Sequence, residues 1–479
     1  MRLTRDRVRF RYDRDRVTPG IVHIGVGAFF RAHAATYIDD ILAMDASWGV
    51  IGVSMRRTDT RDALAPQGFC YTVAVKGMSG TECRVIGALL SILDATTQRD
   101  DVLAAMCDPG VRIVSLTVTE KGYCHDPATG RIDRSHPDIR HDLEHPETPV
   151  SAPGLILRAL ELRRDRRLPP FTVLCCDNLP ANGHTTASVV AGFAALRAPE
   201  LEAYVRNEVH FPSTMVDRIV PATTDADRAQ VLEVTGLEDA WPVVTESFTQ
   251  WVIEDDFPTG RPDFRSVGAR MVADVRDFEL MKLRMLNGSH STLAYLGYLA
   301  GYETISEAME DAALARLVRE MMIEEIRDTL PASLGDLVPY AGELLERFAN
   351  PALKHRTWQI AMDGSQKLPQ RLLSTIRDRL ANGQPIDRLA LGVAAWMRYV
   401  TGTDEAGQPI DVRDPLAERL RGVFEGVGWD AEKLVNGYLS VGEVFGSDLP
   451  QLKEFRGSLV RHLDSLIQRG VAGTLRHRD

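Results

Sequence analysis

The stretch Ile21-Val-His-Ile-Gly25-Val-Gly27-Ala-Phe-Phe-Arg31 decides the fold of this chain. Its first residues are apolar and follow the turn Thr18-Pro-Gly20, which predicts a buried strand. The two glycines come directly after that strand, where they let the backbone approach a pyrophosphate at the start of a helix. Phe30 replaces the third glycine of the usual fingerprint, and a plain tight turn explains two glycines about as well. Their place after a first strand favours dinucleotide binding.

The rest of the first half alternates short β-rich runs with helical patterns, which indicates a parallel sheet covered by helices. Further buried strands are predicted at 48–55, 111–118 and 171–176. Thr119-Glu-Lys-Gly-Tyr123 and Asp177-Asn-Leu-Pro-Ala-Asn-Gly183 follow two of them. Open α/β sheets bind ligands at the carboxyl ends of their strands, so these segments are candidate parts of the same site. The alternative is that each is a capped loop.

From about residue 270 the sequence changes to helical periodicity. Apolar positions recur at helical spacing in 305–328, 338–349, 367–382 and 387–400. Asn350-Pro351 predicts a helix start, with Asn as the cap and Pro in the first turn. We therefore predict an α/β fold in which a dinucleotide-binding domain covers 1–270 and a mostly α-helical substrate-binding domain covers 271–479.

Composition limits the classes of function. The chain has 479 residues, which suggests two or three domains, and it is 44% hydrophobic and 26% charged, as in ordinary globular proteins. A net charge of -11 without a basic block argues against nucleic-acid binding. No apolar run is long enough for a membrane span, and the Arg-rich N-terminal segment lacks the apolar core of an export signal. We expect a cytoplasmic protein, monomer or dimer, with no membrane partner.

The cysteines and histidines do not predict a metal site. The six cysteines show neither zinc spacing nor the density of a disulfide framework, which favours a reducing compartment. His125, His136, His141 and His145 lie in 125–154, a segment that we predict as a long loop. Their spacing fits no helix or strand face, so a solvated loop is favoured over a metal cluster.

The segment Glu279-Leu-Met-Lys282-Leu-Arg-Met-Leu-Asn287-Gly-Ser-His290 carries an amine, a carboxamide and an imidazole among apolar residues. On an α-helix of about 100° per residue, Lys282 and His290 lie about 80° apart and Asn287 about 140° from Lys282. A lysine that loses hydration becomes usable as a base near neutral pH, and an amide can donate to a developing alkoxide. The alternative is a core helix with a snorkelling lysine and locally bonded Asn and His.

Together with 214–221 and 251–256, these segments resemble the long-chain polyol dehydrogenase (mannitol dehydrogenase) family. The K-x4-N-x2-H pattern of Lys282, Asn287 and His290 is specific to that family. The resemblance implies a Rossmann-like N-terminal domain, a helical C-terminal domain and a zinc-independent, nicotinamide-dependent oxidoreductase that acts on CH–OH groups.

The resemblance also implies roles for individual residues. The implied catalytic residues are Lys282 as general base, Asn178 and Asn287 as the oxyanion pocket, Asp217 and His290 as orienting groups, and Glu279 on a proton path to solvent. The implied cofactor-binding residues are Gly25, Gly27, Phe30, Arg31, Asp59, Glu120 and Lys121. Phe30 stands where relatives commonly have His. Arg56 and Arg57 occupy the place of the usual ribose-binding acid and can accept the 2′-phosphate of NADP, so NAD is favoured and NADP stays open.

Within the family, the segment 347–371 resembles the fructuronate reductase (D-mannonate oxidoreductase) subgroup. A uronate carries a carboxylate that a polyol lacks, and His355, Arg356 and Lys367 can bind it. The alternative is that Arg356 pairs with Asp363. We expect NAD-dependent interconversion of D-fructuronate and D-mannonate. The alternatives are a mannitol 2-dehydrogenase or a related polyol dehydrogenase, and a non-catalytic nucleotide-binding protein.

Overall fold

The computed structural model describes residues 1–78, 80–126 and 129–477. The chain divides into two compact units, Met1–Arg276 and Asp277–Asp479. The expected boundary at 270/271 falls inside a short strand of the first unit, Arg270–Val272, which pairs with Gln250–Glu254. This pairing ties the residues just past 270 to the α/β part of the chain.

The first unit contains the strands. They are β1 (Pro19–Ile24), β2 (Gly49–Ser54), β3 (Tyr71–Gly77), β4 (Gly80–Ile86), β5 (Leu89–Asp94), β6 (Ile113–Leu116), β7 (His125–Asp126), β8 (Arg131–Ile132), β9 (Thr172–Cys175), β10 (Thr214–Asp217), β11 (Val243–Glu246), β12 (Gln250–Glu254) and β13 (Arg270–Val272). Its helices are α1 (Ala28–Ala32), α2 (Ala34–Ile41), α3 (Asp59–Leu64), α4 (Arg99–Met106), α5 (Pro137–Glu144), α6 (Ala152–Asp165), α7 (Asn182–Arg197), α8 (Pro199–Glu208) and α9 (Asp225–Thr235).

The main sheet is parallel, with the strand order β5-β2-β1-β6-β9. This confirms the predicted parallel sheet, and the four predicted strands appear as β1, β2, β6 and β9. The order reverses between β1 and β6, which makes the carboxyl edge there the expected ligand site of an open α/β sheet. Smaller sheets are formed by β10-β12-β13, β11-β3-β4 and the hairpin β7-β8. The sequence patterns indicated neither β5 nor the β3-β4 pair.

Both faces of the main sheet are buried. Val22, Val114 and Val173 pack on one side against α4, α6 and α7, whereas Ile21 and Ile113 face the core that includes α2. A strand that is covered on both faces reads as a continuous apolar run, which is why β6 and β9 were visible in the sequence. The prediction of a long loop at 125–154 is wrong, because the described part of this segment contains β7, β8, α5 and the first residues of α6.

The second unit is helical. Its helices are α10 (Arg276–Met281, beginning at the last residue of the first unit), α11 (Ser289–Leu299), α12 (Ile305–Glu310), α13 (Ala312–Glu320), α14 (Val338–Phe348), α15 (Thr357–Ala361), α16 (Gly364–Leu368), α17 (Ser374–Ala381), α18 (Asp387–Tyr399), α19 (Ala417–Val427), α20 (Ala431–Leu439), α21 (Gly442–Phe445) and α22 (Lys453–Arg476). Three π-helical turns join some of them: Lys282–Gly288, Met321–Ile326 and Pro369–Leu373.

The packing of this unit explains its sequence pattern. Residues 389–399 of α18 are all buried, and α18 packs against α11 and α22. Helices occur in all four segments predicted from periodicity. The predicted helix start at Asn350-Pro351 is wrong, because α14 ends at Phe348 and the side chain of Asn350 accepts from the N–H of Ala352 in a turn. Across the described parts of both units, no helix has the length and apolar content that a membrane span requires.

Candidate nucleotide groove and catalytic cluster

A groove of about 470 Å³ opens at the carboxyl edge of the parallel sheet. Its walls come from the segments that follow β1, β2 and β6, and from α5 and the start of α6. The lining residues include Gly25, Val26, Gly27, Ser54, Arg56, Arg57, Thr60, Thr117, Val118, Thr119 and Lys121. The groove therefore lies across the point where the strand order reverses, as in dinucleotide-binding sheets.

The two glycines after β1 have different reasons to be glycine. Gly25 has a φ of +96°, and a Cβ there would lie 2.1 Å from the carbonyl oxygen of Thr117. Gly27 has no such restriction, because a Cβ at that position would meet nothing within 4 Å. Gly27 is the N-cap of α1 and has no side chain to cap the first N–H groups of the helix. The open space beside Gly27 suits a phosphate, which a side chain there would exclude.

A half-buried carboxylate shapes the groove wall after β6. Asp177 accepts from the N–H groups of Val118 and Thr119 at 2.9 and 3.1 Å, and from the hydroxyl of Tyr123 at 2.7 Å. Burial raises the pKa of Asp177, although these hydrogen bonds oppose the shift. The sequence suggested a loop cap at Asp177. The structure shows that it caps the neighbouring loop, 59 residues earlier in the chain.

His23 is a buried polar residue of β1 that the sequence analysis did not single out. Its ring bonds Ser115 Oγ at 2.8 Å and Thr117 Oγ1 at 2.9 Å, and it stacks on Phe30 with the ring centroids 3.6 Å apart. Burial lowers the pKa of His23 to about 3, so the ring is neutral. His23 therefore fixes the end of β6 and the start of α1 beside the groove.

Phe30 and Arg31, both expected to bind the cofactor, direct their side chains into the core. Phe30 is fully buried against His23. Arg31 is 4% exposed, donates to the carbonyl of Trp241 at 2.6 Å and lies over the ring of Tyr71. Because neither residue lines the groove, their contribution is to hold the helix that follows the glycines.

The remaining residues expected to bind the cofactor are divided between the groove and its surroundings. Lys121 lines the groove, and Glu120 and Asp59 are not among the lining residues. Asp59 forms an ion pair with Arg57, and Arg56 pairs with Asp138 at 2.6 Å. Both arginines of the groove therefore have a carboxylate partner within the first unit.

Three possible metal ligands lie near this groove. One ligand atom each of Cys124, His136 and Asp138 lies within 4.8 Å of the other two. All three are already engaged or protonated: His136 Nδ1 accepts from the N–H of Asp138, and Asp138 pairs with Arg56. Burial, together with Asp138, raises the pKa of the Cys124 thiol to about 12. Since metals bind the thiolate, we assign no metal to this cluster.

In the second unit, Lys282, Asn287 and His290 are carried by a π-helical turn and the helix that follows it. The turn Lys282–Gly288 contains the first two residues, and α11 begins directly after it. The angles expected from an ideal α-helix are therefore wrong, because a π turn closes its hydrogen bonds over one more residue. Lys282 and Asn287 are partly exposed, whereas His290 is 7% exposed. Isolated π turns inside α-helices are frequent at functional sites.

His290 sits in a cationic environment. Its ring stacks on Phe348 at 5.0 Å and meets the ring of His355 edge-on at 4.8 Å. Burial lowers the pKa of His290 well below its usual value, and His355, Arg371, Arg347 and Lys367 lower it further. Burial also lowers the pKa of His355 to about 4. Both imidazoles are therefore neutral at pH 7.

The residues expected to bind a carboxylate separate into a surface residue and inner ones. Arg356 is 46% exposed and pairs with Glu303, not with Asp363. Lys367 is less exposed and donates to the carbonyl of Met362 at 2.5 Å. His355, beside His290, has a buried Nδ1 atom that finds no hydrogen-bond partner in the described chain.

The other expected site residues are placed as follows. Asn178, in the first unit, is exposed after β9, and Asp217 is 4% exposed at the end of β10. Glu279, in the second unit, is partly exposed on α10, one turn before Lys282.

Family models cover almost the whole chain. The mannitol dehydrogenase Rossmann domain matches residues 19–266, and the mannitol dehydrogenase C-terminal domain matches residues 274–467. The chain belongs to the mannitol dehydrogenase family. This confirms the predicted resemblance, the Rossmann-like and helical parts, and the prediction of an oxidoreductase that acts on CH–OH groups.

Curated members of the mannitol dehydrogenase family match along nearly their full length. The chain is 49% identical over 467 residues to the uncharacterised oxidoreductase YeiQ of Escherichia coli (strain K12), covering 96% of this chain and 95% of that protein. It is 47% identical over 466 residues to D-mannonate oxidoreductase of the same organism, covering 96% of each. It is 40% identical over 475 residues to a mannitol 2-dehydrogenase of Aspergillus fumigatus, covering 97% and 94%.

Two solved structures of polyol dehydrogenases share the fold over the full length. Mannitol 2-dehydrogenase of Pseudomonas fluorescens, in a ternary complex with NAD and D-mannitol, is 39% identical, with a TM-score of 0.86 over 100% of this chain and 99% of that one. A substrate-free D-sorbitol dehydrogenase is 33% identical, with a TM-score of 0.90 over 99% and 100%.

Three residues of this mannitol dehydrogenase family member matter to the candidate site and were not predicted: His23, Asp177 and Arg371. All three lie inside segments that the sequence analysis singled out. Their partners are far away in sequence, so no local pattern distinguished them from ordinary capping or surface residues.

Proposed function

We propose that this protein is an NAD-dependent, zinc-independent oxidoreductase of the cytoplasm that interconverts D-fructuronate and D-mannonate. The first unit binds the cofactor and the second binds the substrate and supplies the base. One observation carries the proposal: Lys282, Asn287 and His290 lie on one π-helical turn and the start of α11, and Arg347, Lys367 and Arg371 lie close enough to His290 to lower its pKa. The greater identity to D-mannonate oxidoreductase than to the mannitol 2-dehydrogenase supports the sugar acid.

The groove of the first unit fits a dinucleotide. The space beside Gly27 suits a phosphate, and Lys121 adds a cation to the wall. Arg56 and Arg57 face the groove with carboxylate partners, Asp138 and Asp59. A 2′-phosphate would compete with those carboxylates, which supports NAD over NADP. All six cysteines are free thiols, which supports a reducing compartment.

Lys282 is the proposed general base. In the oxidation its neutral amine takes the proton of the C5 hydroxyl, and in the reduction its ammonium returns that proton. Asn287 donates an amide N–H to the reacting oxygen as negative charge develops there. When bound, the nicotinamide cofactor supplies the acceptor or donor of the hydride at C5. Glu279, one turn before Lys282, relays the proton towards solvent.

Roles for Asn178 and Asp217 follow from the family resemblance. We propose that Asn178 contributes to the oxyanion pocket and that Asp217 orients the substrate or the lysine, as the resemblance implies. His290 is neutral at pH 7, so it accepts or donates one hydrogen bond to a substrate hydroxyl without adding charge.

A second candidate is interconversion of mannitol and fructose, which the solved complex of a relative with D-mannitol favours. The test is a panel of D-mannonate, D-fructuronate, mannitol and fructose, each assayed with NAD(H) and with NADP(H). We expect turnover of the sugar acids with NAD(H), and undiminished activity after treatment with a chelator. If the enzyme prefers mannitol and fructose, the proposed sugar-acid substrate is wrong. Loss of activity after chelation would contradict zinc independence.

A further inference from the structure

The second unit contains a half-buried arginine without a carboxylate partner among the described residues. Arg371, in the π turn Pro369–Leu373, donates Nη1 to Ser291 Oγ at 3.0 Å. Among the residues that the structure describes, no Asp or Glu forms an ion pair with Arg371. Burial lowers the pKa of Arg371, which marks a guanidinium that has lost hydration. A buried charge without a counter-ion is unfavourable unless something else neutralises it.

Other arginines of this unit show how such charges are normally satisfied. Arg284 pairs with Asp378 and Arg388 with a group of glutamates that includes Glu320. Arg379 and Arg398 are satisfied differently, because each donates to two carbonyl oxygens of the backbone. Arg371 has neither arrangement, and a hydroxyl is a weak partner for a guanidinium.

Arg371 is fixed against the segment that carries the proposed catalytic residues. Its hydrogen-bond partner, Ser291, directly follows His290 in α11. Its carbonyl oxygen lies 2.8 Å from where a Cβ on Gly288 would be, so the two π turns pack backbone to backbone. Because Gly288 follows Asn287, this contact sets Arg371 at a fixed position relative to the reacting end of the site.

The surroundings of Arg371 favour an anion. Arg371, Arg347 and Lys367 all lie close enough to His290 to lower its pKa, and the imidazoles of His290 and His355 are neutral. The surface residue Arg356 is a weaker candidate for carboxylate binding, since Glu303 already occupies it. A planar guanidinium recognises a carboxylate with two parallel hydrogen bonds.

We propose that Arg371 is the residue that binds the carboxylate of the substrate and thereby selects a sugar acid over a polyol. This inference rests on the proposed function of the second unit as the substrate-binding part. Ser291 is a positioning residue, because its hydroxyl holds one end of the guanidinium and leaves the rest for the ligand.

Substitution of Arg371 tests the proposal in kinetics. Arg371→Met keeps the volume, and Arg371→Lys keeps the charge but loses the bidentate geometry. We expect Arg371→Met to lower kcat/KM for D-mannonate by about 100-fold or more, mostly through KM, and to change kcat/KM for mannitol by less than about threefold. Arg371→Lys should recover part of the loss. Arg377 lies on the next helix and is paired with Asp448, so Arg377→Met is the matched control. It should retain the wild-type kcat/KM for D-mannonate and for mannitol.

A binding measurement separates this inference from the proposed reaction. D-Mannonate and mannitol are titrated calorimetrically into the wild type and the folded Arg371→Met protein, with folding checked by circular dichroism. Loss of mannonate binding alone supports the proposal even if no turnover is found. Equal loss of both ligands, unchanged mannonate binding, or a wild type that binds only mannitol overturns it. If Arg356→Ala, and not Arg371→Met, loses mannonate binding while it keeps mannitol binding, the carboxylate is bound by the surface residue Arg356.

Substitution of Ser291 provides an independent test if Arg371→Met does not fold. Ser291→Ala removes the hydroxyl that holds the guanidinium and leaves the charge in place. We expect about a tenfold rise in KM for D-mannonate with kcat nearly unchanged, because the loss is one of positioning. An unchanged KM would contradict the role of Ser291, and an equal change for mannitol would make the contact merely structural.

Discussion

Lys282 is the side chain on which the proposed chemistry depends. Lys282→Ala should lower kcat by about 10²–10⁴-fold, the usual contribution of a positioned general base, while NADH affinity stays unchanged. Stopped-flow turnover and a fluorescence titration of NADH measure the two effects separately. Lys453→Ala, at an exposed position of α22, is the control. Retention of most of the wild-type rate by Lys282→Ala would remove it from the mechanism.

Gly25 and Gly27 allow a prediction that separates folding from cofactor binding. Gly27→Val should fold, because the space beside it is open, and should bind NADH at least tenfold more weakly, because the side chain fills that space. Gly25→Ala should instead lower the melting temperature, since its φ of +96° and the Thr117 carbonyl leave no room for Cβ. Thermal unfolding and NADH titration of both variants are the measurements. Wild-type affinity in folded Gly27→Val would place the phosphates elsewhere.

The contact between two π turns is the element that holds the catalytic segment. A Cβ on Gly288 would lie 2.8 Å from the carbonyl oxygen of Arg371, and backbone atoms cannot yield as a flexible side chain does. Gly288→Ala should therefore destabilise the protein by about 1–3 kcal/mol and lower kcat, because the turn must shift. Gly342→Ala, on α14 where a Cβ meets nothing, should be neutral or stabilising by about 0.5–1 kcal/mol. Urea unfolding and kcat of the two variants test whether the contact between the π turns holds the catalytic segment.

Helical periodicity predicted most elements of the second unit and missed the π turns. Leu389 to Tyr399 repeat apolar residues along a buried helix, so α18 was readable from its own sequence. The turn Lys282–Gly288 differs from an α-helix by its hydrogen-bond register, which side-chain spacing does not encode. Asn350-Pro351 has the residues of a helix start, but the following residues turn instead of continuing a helix.

The protein as a whole should be sensitive to mild acid. His355 has a pKa of about 4 and His23 of about 3 in the folded state, against an ordinary value of 6.5. Below pH 6.5 the unfolded chain therefore binds protons that the folded chain does not, so stability falls as the pH drops towards 4 and 3. Through His355 alone, the free energy of unfolding falls by about 3 kcal/mol at most between neutral pH and pH values below 4.

His355→Leu should make the stability less dependent on pH. Its melting temperature should fall less between pH 7 and pH 4.5 than that of the wild type, because one of the buried imidazoles has been removed. The exposed His477→Leu variant is the control, and it should lose stability with acid as the wild type does. An identical loss in His355→Leu and the wild type would mean that other groups dominate the acid response.

The sequence by itself determined the features that are local. The strand before Gly25, the helical period after residue 270 and the K-x4-N-x2-H spacing each depend on neighbours within a few residues, so the chain order contains them. The resemblance to the family rests on these local patterns and implies the type of reaction, and the family models show the family.

Only the tertiary structure decided which charges are satisfied and which are left for a ligand. Asp177 reaches the loop after β6 across 59 residues, and Arg371 reaches Ser291 across 80. Arg356, the more obvious cation in the sequence, is paired with Glu303 at the surface. A counter-ion is set by packing between distant segments, and the chain order gives the residue types without giving their partners.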